Sequence, residues 1–584
     1  MKDHLRYIFA ETLVCLLILN VLATPTAAQT DKTLYDIVIR NGRVLDGAGN
    51  PWIAADVAIK DGRFVRIGKI EDKGKQEIDA TGKYVSPGWI DMLDQSGSVL
   101  AKNGLAESKL LMGVTTGIAG EAGTPVPAEK LAEYFAGLEK SGISMNFGTA
   151  YSETQARVAV LGEVSREPTP EELTLMKTLM ETAMKAGAMG MTTALIYPPA
   201  SYSKTEELIE MAKVAGRYGG IYSSHVRGEG AELIQAIEEA IMIGEKGGLP
   251  VEIFHLKAAY QPGWGTLMRA AGEKIEAARN RGVDVAADMY LYTAGGTSLS
   301  AVIPSWAAEG GNEKLMERLK DSAIRSRLKN EIKTGSPGWW NIVEAAGGWD
   351  NIVLVAARNK ENDRFENKSI AQIAKEWNKD PADAAFDLVE QANGRASALY
   401  YLMTEEDIET AVKFPWTSLG SDSAASFKLA DPDTVGMGHP RGYGNFPRLI
   451  AEYVRKKKVL TLPNAIRKMT SWPATRMRLA SRGLIKEGCW ADVVIFDYDT
   501  IQDQATYEYP YKTPTGIDYV LVNGQVVVEH SKHTGARPGH VLYGPGRQLQ
   551  KSGLLLLKPK IGKVRALTSN QSGSRFPAQK IKRT

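Results

Sequence analysis

Gly219-Gly-Ile-Tyr-Ser-Ser-His225 and Pro250-Val-Glu-Ile-Phe-His255 decide the fold: each is a short strand-like run that closes on a histidine. No other histidine lies between residues 30 and 430. A third run, Trp416-Thr-Ser-Leu-Gly-Ser-Asp422, ends far downstream on a carboxylate. Metal-competent or proton-transferring side chains at the C-terminal tips of separate strands are how an active site forms on a parallel barrel. Outward from these runs the same rhythm continues. Strand runs end near Asp91, Glu121, Tyr151, Ala194, His225, His255, Asp288 and Asp422. Stretches with apolar residues three and four apart, such as 205–217 and 231–246, predict helices between them. Eight such units predict a (β/α)8 TIM-like barrel over 86–480. The gap between Asp288 and Asp422 is too long for one unit, so an insertion is expected over about 296–415. It includes Trp339-Trp340 and a further strand at 351–355.

Both flanks read differently. Residues 29–85 alternate in short strands, with Asn41-Gly42 and Asp61-Gly62 as hairpin signals. The rhythm returns over 481–546, where Asn523-Gly524 marks another hairpin. The two blocks are expected to pair into one small β-sandwich.

The termini carry their own signals. Lys2 and Arg6, an apolar run to about Leu22, and the small residues Ala23, Thr24, Thr26, Ala27 and Ala28 read as a signal peptide over 1–28. The expectation is export, periplasmic or extracellular. The apolar run falls short of the ~20 residues of a membrane span, so no stable membrane insertion is expected. With the signal removed one cysteine remains, Cys489, which excludes an internal disulfide and suits core packing. A net charge of +3 over 584 residues does not argue for a nucleic-acid partner. No acid follows Glu529, so residues 547–584 read as a basic, disordered tail.

The chemistry gathers at strand tips. His225 and His255 lie on consecutive strands, and neutral imidazoles are the commonest zinc ligands. A catalytic zinc needs three protein ligands and an open position, and Glu121, in Gly-Ile-Ala-Gly-Glu121, is the best placed third. Asp422 sits where a carboxylate can take a proton from zinc-activated water and pass it to a leaving nitrogen. Taken alone, an Asp after Gly-Ser reads first as a helix N-cap.

Longer motifs support a resemblance. Ile39-Arg-Asn-Gly-Arg-Val-Leu-Asp-Gly47, Val85-Ser-Pro-Gly-Trp-Ile-Asp91 and Gly113-Val-Thr-Thr resemble the amidohydrolase superfamily. His225-Val-Arg-Gly-Glu229, His255-Leu-Lys257, Asp288-Met-Tyr-Leu-Tyr-Thr, Gly420-Ser-Asp422 and the segment from His439 to Arg448 resemble the N-acyl-D-amino-acid deacylase (D-aminoacylase) family. So do Arg482-Gly-Leu-Ile-Lys-Glu-Gly-Cys-Trp-Ala-Asp492 and Gly516-Ile-Asp-Tyr-Val-Leu-Val-Asn-Gly524. The resemblance implies a metal-dependent barrel that hydrolyses the amide of an N-acylated D-amino acid. It carries metal ligation to His225 and His255 and catalysis to Asp422, and it assigns substrate binding to Lys257 and Tyr290. Arg441 has the charge to hold a substrate carboxylate.

Two departures qualify the resemblance. Where the family has His-x-His after the first strand, this chain has Leu93 and Gln95, and Leu93 cannot ligate while Gln95 is a weak ligand. Ala122 stands where the family has a ligating cysteine, directly after Glu121. One zinc ion is therefore expected, on Glu121, His225 and His255, with Asp94 left as polar support. The alternatives are another amidohydrolase activity (on a D-amino-acid dipeptide, cyclic imide or lactone) and a non-catalytic binding protein on a decayed scaffold.

Overall fold

The computed structural model describes residues 34–426, 429 and 438–547. The signal peptide expected over 1–28 and all but the first residue of the tail expected over 547–584 lie outside the described residues.

Eight parallel strands form the barrel: Trp89–Asp94, Val114–Ala119, Asn146–Thr149, Gly190–Ala194, Ile221–His225, Val251–Ile253, Val285–Met289 and Thr417–Leu419. They are buried almost throughout, as strands covered on both faces must be, and so read as apolar runs rather than as alternating ones. The third strand breaks at Ala150. Its first part pairs with the second strand, and its continuation Tyr151–Ser152 pairs with the fourth. Closure comes at the mouth, where Asp422 N donates to Leu93 O at 2.9 Å and Gln95 N to Ser423 O at 3.1 Å. Helices cover the outside. Thr205–Arg217 has Glu206 and Glu207 in its first turn and Arg217 in its last, which suits the helix dipole, and it buries Leu208, Met211 and Val214.

The two flanking β blocks join in one nine-stranded sheet. The link is Tyr84–Pro87 against Val493–Phe496, antiparallel, with Val85 opposite Ile495. Ile39, Val57, Val493 and Leu521 share one core, and Cys489 packs into it. The hairpins at Asp61-Gly62 and Asn523-Gly524 form. Asn41-Gly42 does not: Tyr35–Val44 is a single strand that pairs with Ile53–Lys60 on both sides of a bulge at these residues. Asn41 takes φ 58°, and a β-carbon on Gly42 would lie 2.6 Å from Val85 Cγ2. The pair supplies the left-handed residue and the close approach of a bulge, which needs the same residue types as a turn. The last described stretch leaves this sheet for the barrel, with Leu542 N donating to Phe147 O at 2.7 Å.

The expected insertion is a layer with its own antiparallel sheet, made of Ala294–Ser298, Ser397–Tyr401 and Ile352–Ala356. It has its own core, including Leu299, Leu328, Phe386 and Tyr400. Gly295, Gly296 and Thr297 of its first strand, with Tyr400, wall the cavity at the barrel mouth.

Candidate metal centre

His225 is the last residue of the fifth strand, and His255 and Glu121 lie two residues past the sixth and second. Their side chains turn inward to one point. Glu121 Oε1 is 3.0 Å from His225 Nδ1 and 3.0 Å from His255 Nε2, and the three ligand atoms lie within 4.8 Å of one another. All three residues are buried. Ala122, by contrast, is exposed, so the residue before the family's cysteine position is the one aimed at the centre.

Backbone strain helps to aim them. His255 has φ 35° and Asp422 has φ 47°, a region that β-carbons disfavour and that costs of order 1–3 kcal/mol per residue. Asp288, wholly buried, holds the first of these bends by accepting the His255 N–H at 2.8 Å on Oδ1. Asn445 ties the ends of the last two strands together, accepting from Leu291 N at 2.9 Å and donating to Gly420 O at 3.1 Å.

Behind the histidines stands Glu229, whose motif was legible but to which sequence reasoning assigned no task. Its Oε1 is 3.1 Å from His255 Nδ1 and 3.7 Å from His225 Nε2, and it accepts from Lys257 Nζ at 2.5 Å. Lys257 Nζ also lies 2.6 Å from His255 Nδ1. Burial alone would raise the Glu229 carboxyl, yet Lys257 and the two imidazoles hold it well below the usual range. Glu121 behaves likewise: burial opposes its charge, but hydrogen bonds from His225 and His255 hold it well below the usual carboxylate range. Burial lowers His225. His255 feels burial and Lys257 pushing down, and Glu229 and Glu121 pushing up to about 10.

One orphan tests whether the three residues suit a metal ion. His225 Nε2 is buried without a hydrogen-bond partner. If Glu121 takes a proton from Nδ1, the Nε2 lone pair faces the Glu229 carboxylate. With Nδ1 given to a cation, the proton would sit on Nε2, facing that carboxylate at 3.7 Å, the arrangement usual behind a metal-bound histidine. The donor set of one carboxylate and two imidazoles with an open side suits a catalytic zinc. The residues fit.

The opposite half of the mouth is built from the first and last strands. Gln95 Nε2 donates to Glu121 Oε2 at 2.5 Å and lies 3.4 Å from Asp422 Oδ1. Asp422 Oδ2 pairs with Arg441 at 2.8 Å. Deeper, the fully buried Lys109 reaches Asp91 at 2.8 Å, Asp94 at 2.9 Å and Ser421 Oγ at 2.6 Å. Asp94 is thus polar support, as the sequence suggested. Gln95, read there only as a weak ligand, is a donor to two carboxylates.

All seven residues singled out from sequence line one cavity of about 50 Å³: Glu121, His225, His255, Lys257, Tyr290, Asp422 and Arg441. Tyr290 stands between the two cations, 4.6 Å from Arg441 Cζ and 5.6 Å from Lys257 Nζ at its ring centroid. Sequence reasoning missed Glu229, Gln95 and Tyr197, whose ring lines the same cavity and packs edge-on against His225 at 5.3 Å between centroids. The first carried a signal, an acid four residues after His225.

A parallel eight-stranded barrel with this mouth defines a metal-dependent hydrolase of the amidohydrolase type. The amidohydrolase family model matches residues 389–528. D-aminoacylase of Alcaligenes xylosoxydans xylosoxydans is 30% identical over 542 residues, covering 88% of this chain and 99% of that protein. The crystal structure of N-acyl-D-glutamate deacylase from Bordetella bronchiseptica, complexed with zinc and a phosphonate mimic of the tetrahedral intermediate, superposes with a TM-score of 0.73 at 29% identity, over 88% of this chain and 100% of that one. A D-aminoacylase structure described by one-metal activation and second-metal attenuation of a binuclear centre matches at 0.73 and 28% identity, over 87% and 100%. The chain belongs to the D-aminoacylase family of amidohydrolases.

Proposed function

We propose that this protein is a one-zinc hydrolase that removes the acyl group from N-acyl-D-amino acids. The observation that carries this reading is the convergence of Glu121 Oε1, His225 Nδ1 and His255 Nε2 on one point, with Asp422 across the same cavity. Glu121, His225 and His255 would hold the ion, which would supply a water of pKa about 7 and polarisation of the scissile carbonyl. Asp422 Oδ1, the oxygen that Arg441 leaves free, takes the proton of the attacking water and returns it to the leaving nitrogen. Lys257 and Arg441 receive the substrate carboxylate, with Tyr290 as the wall between them. Glu229, 3.1 Å from His255 Nδ1, holds that histidine in the ligating tautomer, and it faces His225 Nε2 at 3.7 Å.

The side chain of the substrate has a place beside the site. A second cavity of about 60 Å³ shares Ile196, Tyr197, Trp340 and Ile342 with the first and is otherwise lined by Ala301, Ile303 and Leu315 among others. Those walls suit an apolar side chain better than a carboxylate. Export belongs to the same proposal, carried by the basic start, apolar run and small residues of 1–28.

The test is a screen of N-acetyl D- and L-amino acids, D-dipeptides, cyclic imides and lactones, with zinc content measured in parallel. Turnover is expected for N-acetyl-D-leucine or N-acetyl-D-methionine above N-acetyl-D-glutamate, with little for the L series. A metal-free native protein, or equal turnover of both enantiomers, overturns the reading.

A further inference from the structure

We infer that Gln95 is a positioning residue that limits the centre to one metal ion and sets Glu121 for it. The inference rests on the zinc reading above and concerns a residue with no part in the chemistry.

Gln95 is anchored at the barrel seam, its N–H on Ser423 O at 3.1 Å. Its carboxamide points between Glu121 Oε2, at 2.5 Å, and Asp422 Oδ1, at 3.4 Å. Ionised carboxylates only accept, so the NH2 end of the amide must face them. The Glu121 carboxylate is thereby divided. Oε2 is satisfied by an N–H, and Oε1 is left toward the two histidines. A second cation bridging Glu121 and Asp422 would have to displace this NH2, and could use Gln95 only by turning its weakly ligating amide oxygen inward at the cost of the hydrogen bonds to both carboxylates.

The neighbouring acids are taken as well. Arg441 holds Asp422 Oδ2, and Lys109 holds Asp91 and Asp94. Leu93, buried beside them, has no donor atom to offer. Each carboxylate that could draw a second dication already has a nitrogen donor or cation on it, and Gln95 is the one of these groups that touches both Glu121 and Asp422.

Zinc uptake by the metal-stripped full chain tests this, measured by equilibrium dialysis and elemental analysis. Thermal unfolding checks that each variant is folded. Wild type is expected to saturate at one zinc per chain. Gln95→Glu and Gln95→His replace the donor by a ligand and are expected to take up a second zinc. Gln95→Leu, which keeps the bulk and loses the N–H, is expected to bind one zinc about 10–100-fold more weakly, the usual cost of removing a partner behind a ligand. Two zinc ions in wild type overturn the inference while leaving the hydrolase reading intact. So does a Gln95→Leu affinity equal to wild type, or a single zinc in both folded ligand variants. No zinc in wild type overturns the reading beneath it, and the inference with it.

Discussion

On the side of the first and last barrel strands, the carboxylates at the mouth hold nitrogen donors: Asp91 and Asp94 hold Lys109, and Asp422 holds Arg441 and faces Gln95. On the side of the fifth and sixth strands, two imidazole nitrogens and one carboxylate oxygen point at a common centre, and behind them His225 Nε2 has no partner. Lys109, Asp91 and Asp94 are buried at least as deeply as Glu121, His225 and His255, so burial alone does not distinguish the two clusters. What differs is how the charges are matched: Arg441 Nε is also left without a hydrogen-bond partner, but each acid of the first side already holds a cation or a nitrogen donor. A buried cluster with its charges internally matched is a structural joint, whereas one whose donor atoms converge without a matched set is complete only with a ligand.

The largest effect expected across this divide is at Asp422, which belongs to the saturated half by position and to the catalytic centre by reach. Asp422→Asn is expected to lower kcat by about 10²–10⁴ with zinc retained, measured by steady-state kinetics beside metal analysis. Loss of zinc together with activity would move Asp422 into the ligand set.

Lys109 should answer in stability rather than in chemistry. Lys109→Met leaves Asp91 and Asp94 buried without their cation, at a cost of about 3–5 kcal/mol, visible as a lower urea midpoint. An unchanged midpoint contradicts the joint assigned to it. Glu229 should answer the other way. Glu229→Gln is expected to weaken zinc binding about 10–100-fold while moving the urea midpoint of the metal-free protein little.

A second buried lysine sharpens the contrast. Lys468, below the last strand, donates to Phe414 O, Thr417 O and Thr417 Oγ1, none of them charged. Burial, helped by Arg467, lowers it to about 7, whereas Asp91 and Asp94 outweigh burial and raise Lys109. The unfolded chain binds a proton at Lys468 up to about pH 10.4 and the folded chain only up to about 7, so stability rises with pH in that window, by about 1.4 kcal/mol per unit at most. Lys468→Met is expected to remove that slope from urea midpoints taken across the window. An identical slope in the variant counts against it.

How much of this could be read in the sequence depended on how local the signal was. The helix at 205–217 was legible end to end because its apolar spacing and terminal charges all lie within it. His225, His255 and Glu121 were legible because strand-tip ligands are rare and the strands before them are compact. The bulge at Asn41-Gly42 was misread as a turn, since both need a left-handed residue and only the pairing partner separates them. Lys109 and Gln95 were illegible as a pair of fillers. Lys109 meets Ser421 across 312 positions and Gln95 meets Asp422 across 327, and no periodicity carries such distances. Glu229 lay between: its spacing from His225 was visible, but its contact with His255 depends on how two neighbouring strands are staggered.

The most direct test of the central claim is a crystal structure of the zinc-loaded protein with anomalous scattering recorded at the zinc edge. One peak is expected, within bonding distance of Glu121 Oε1, His225 Nδ1 and His255 Nε2, with Gln95 still on Glu121 Oε2. Absence of a peak there, or a second peak between Glu121 and Asp422 in the wild-type protein, would contradict it.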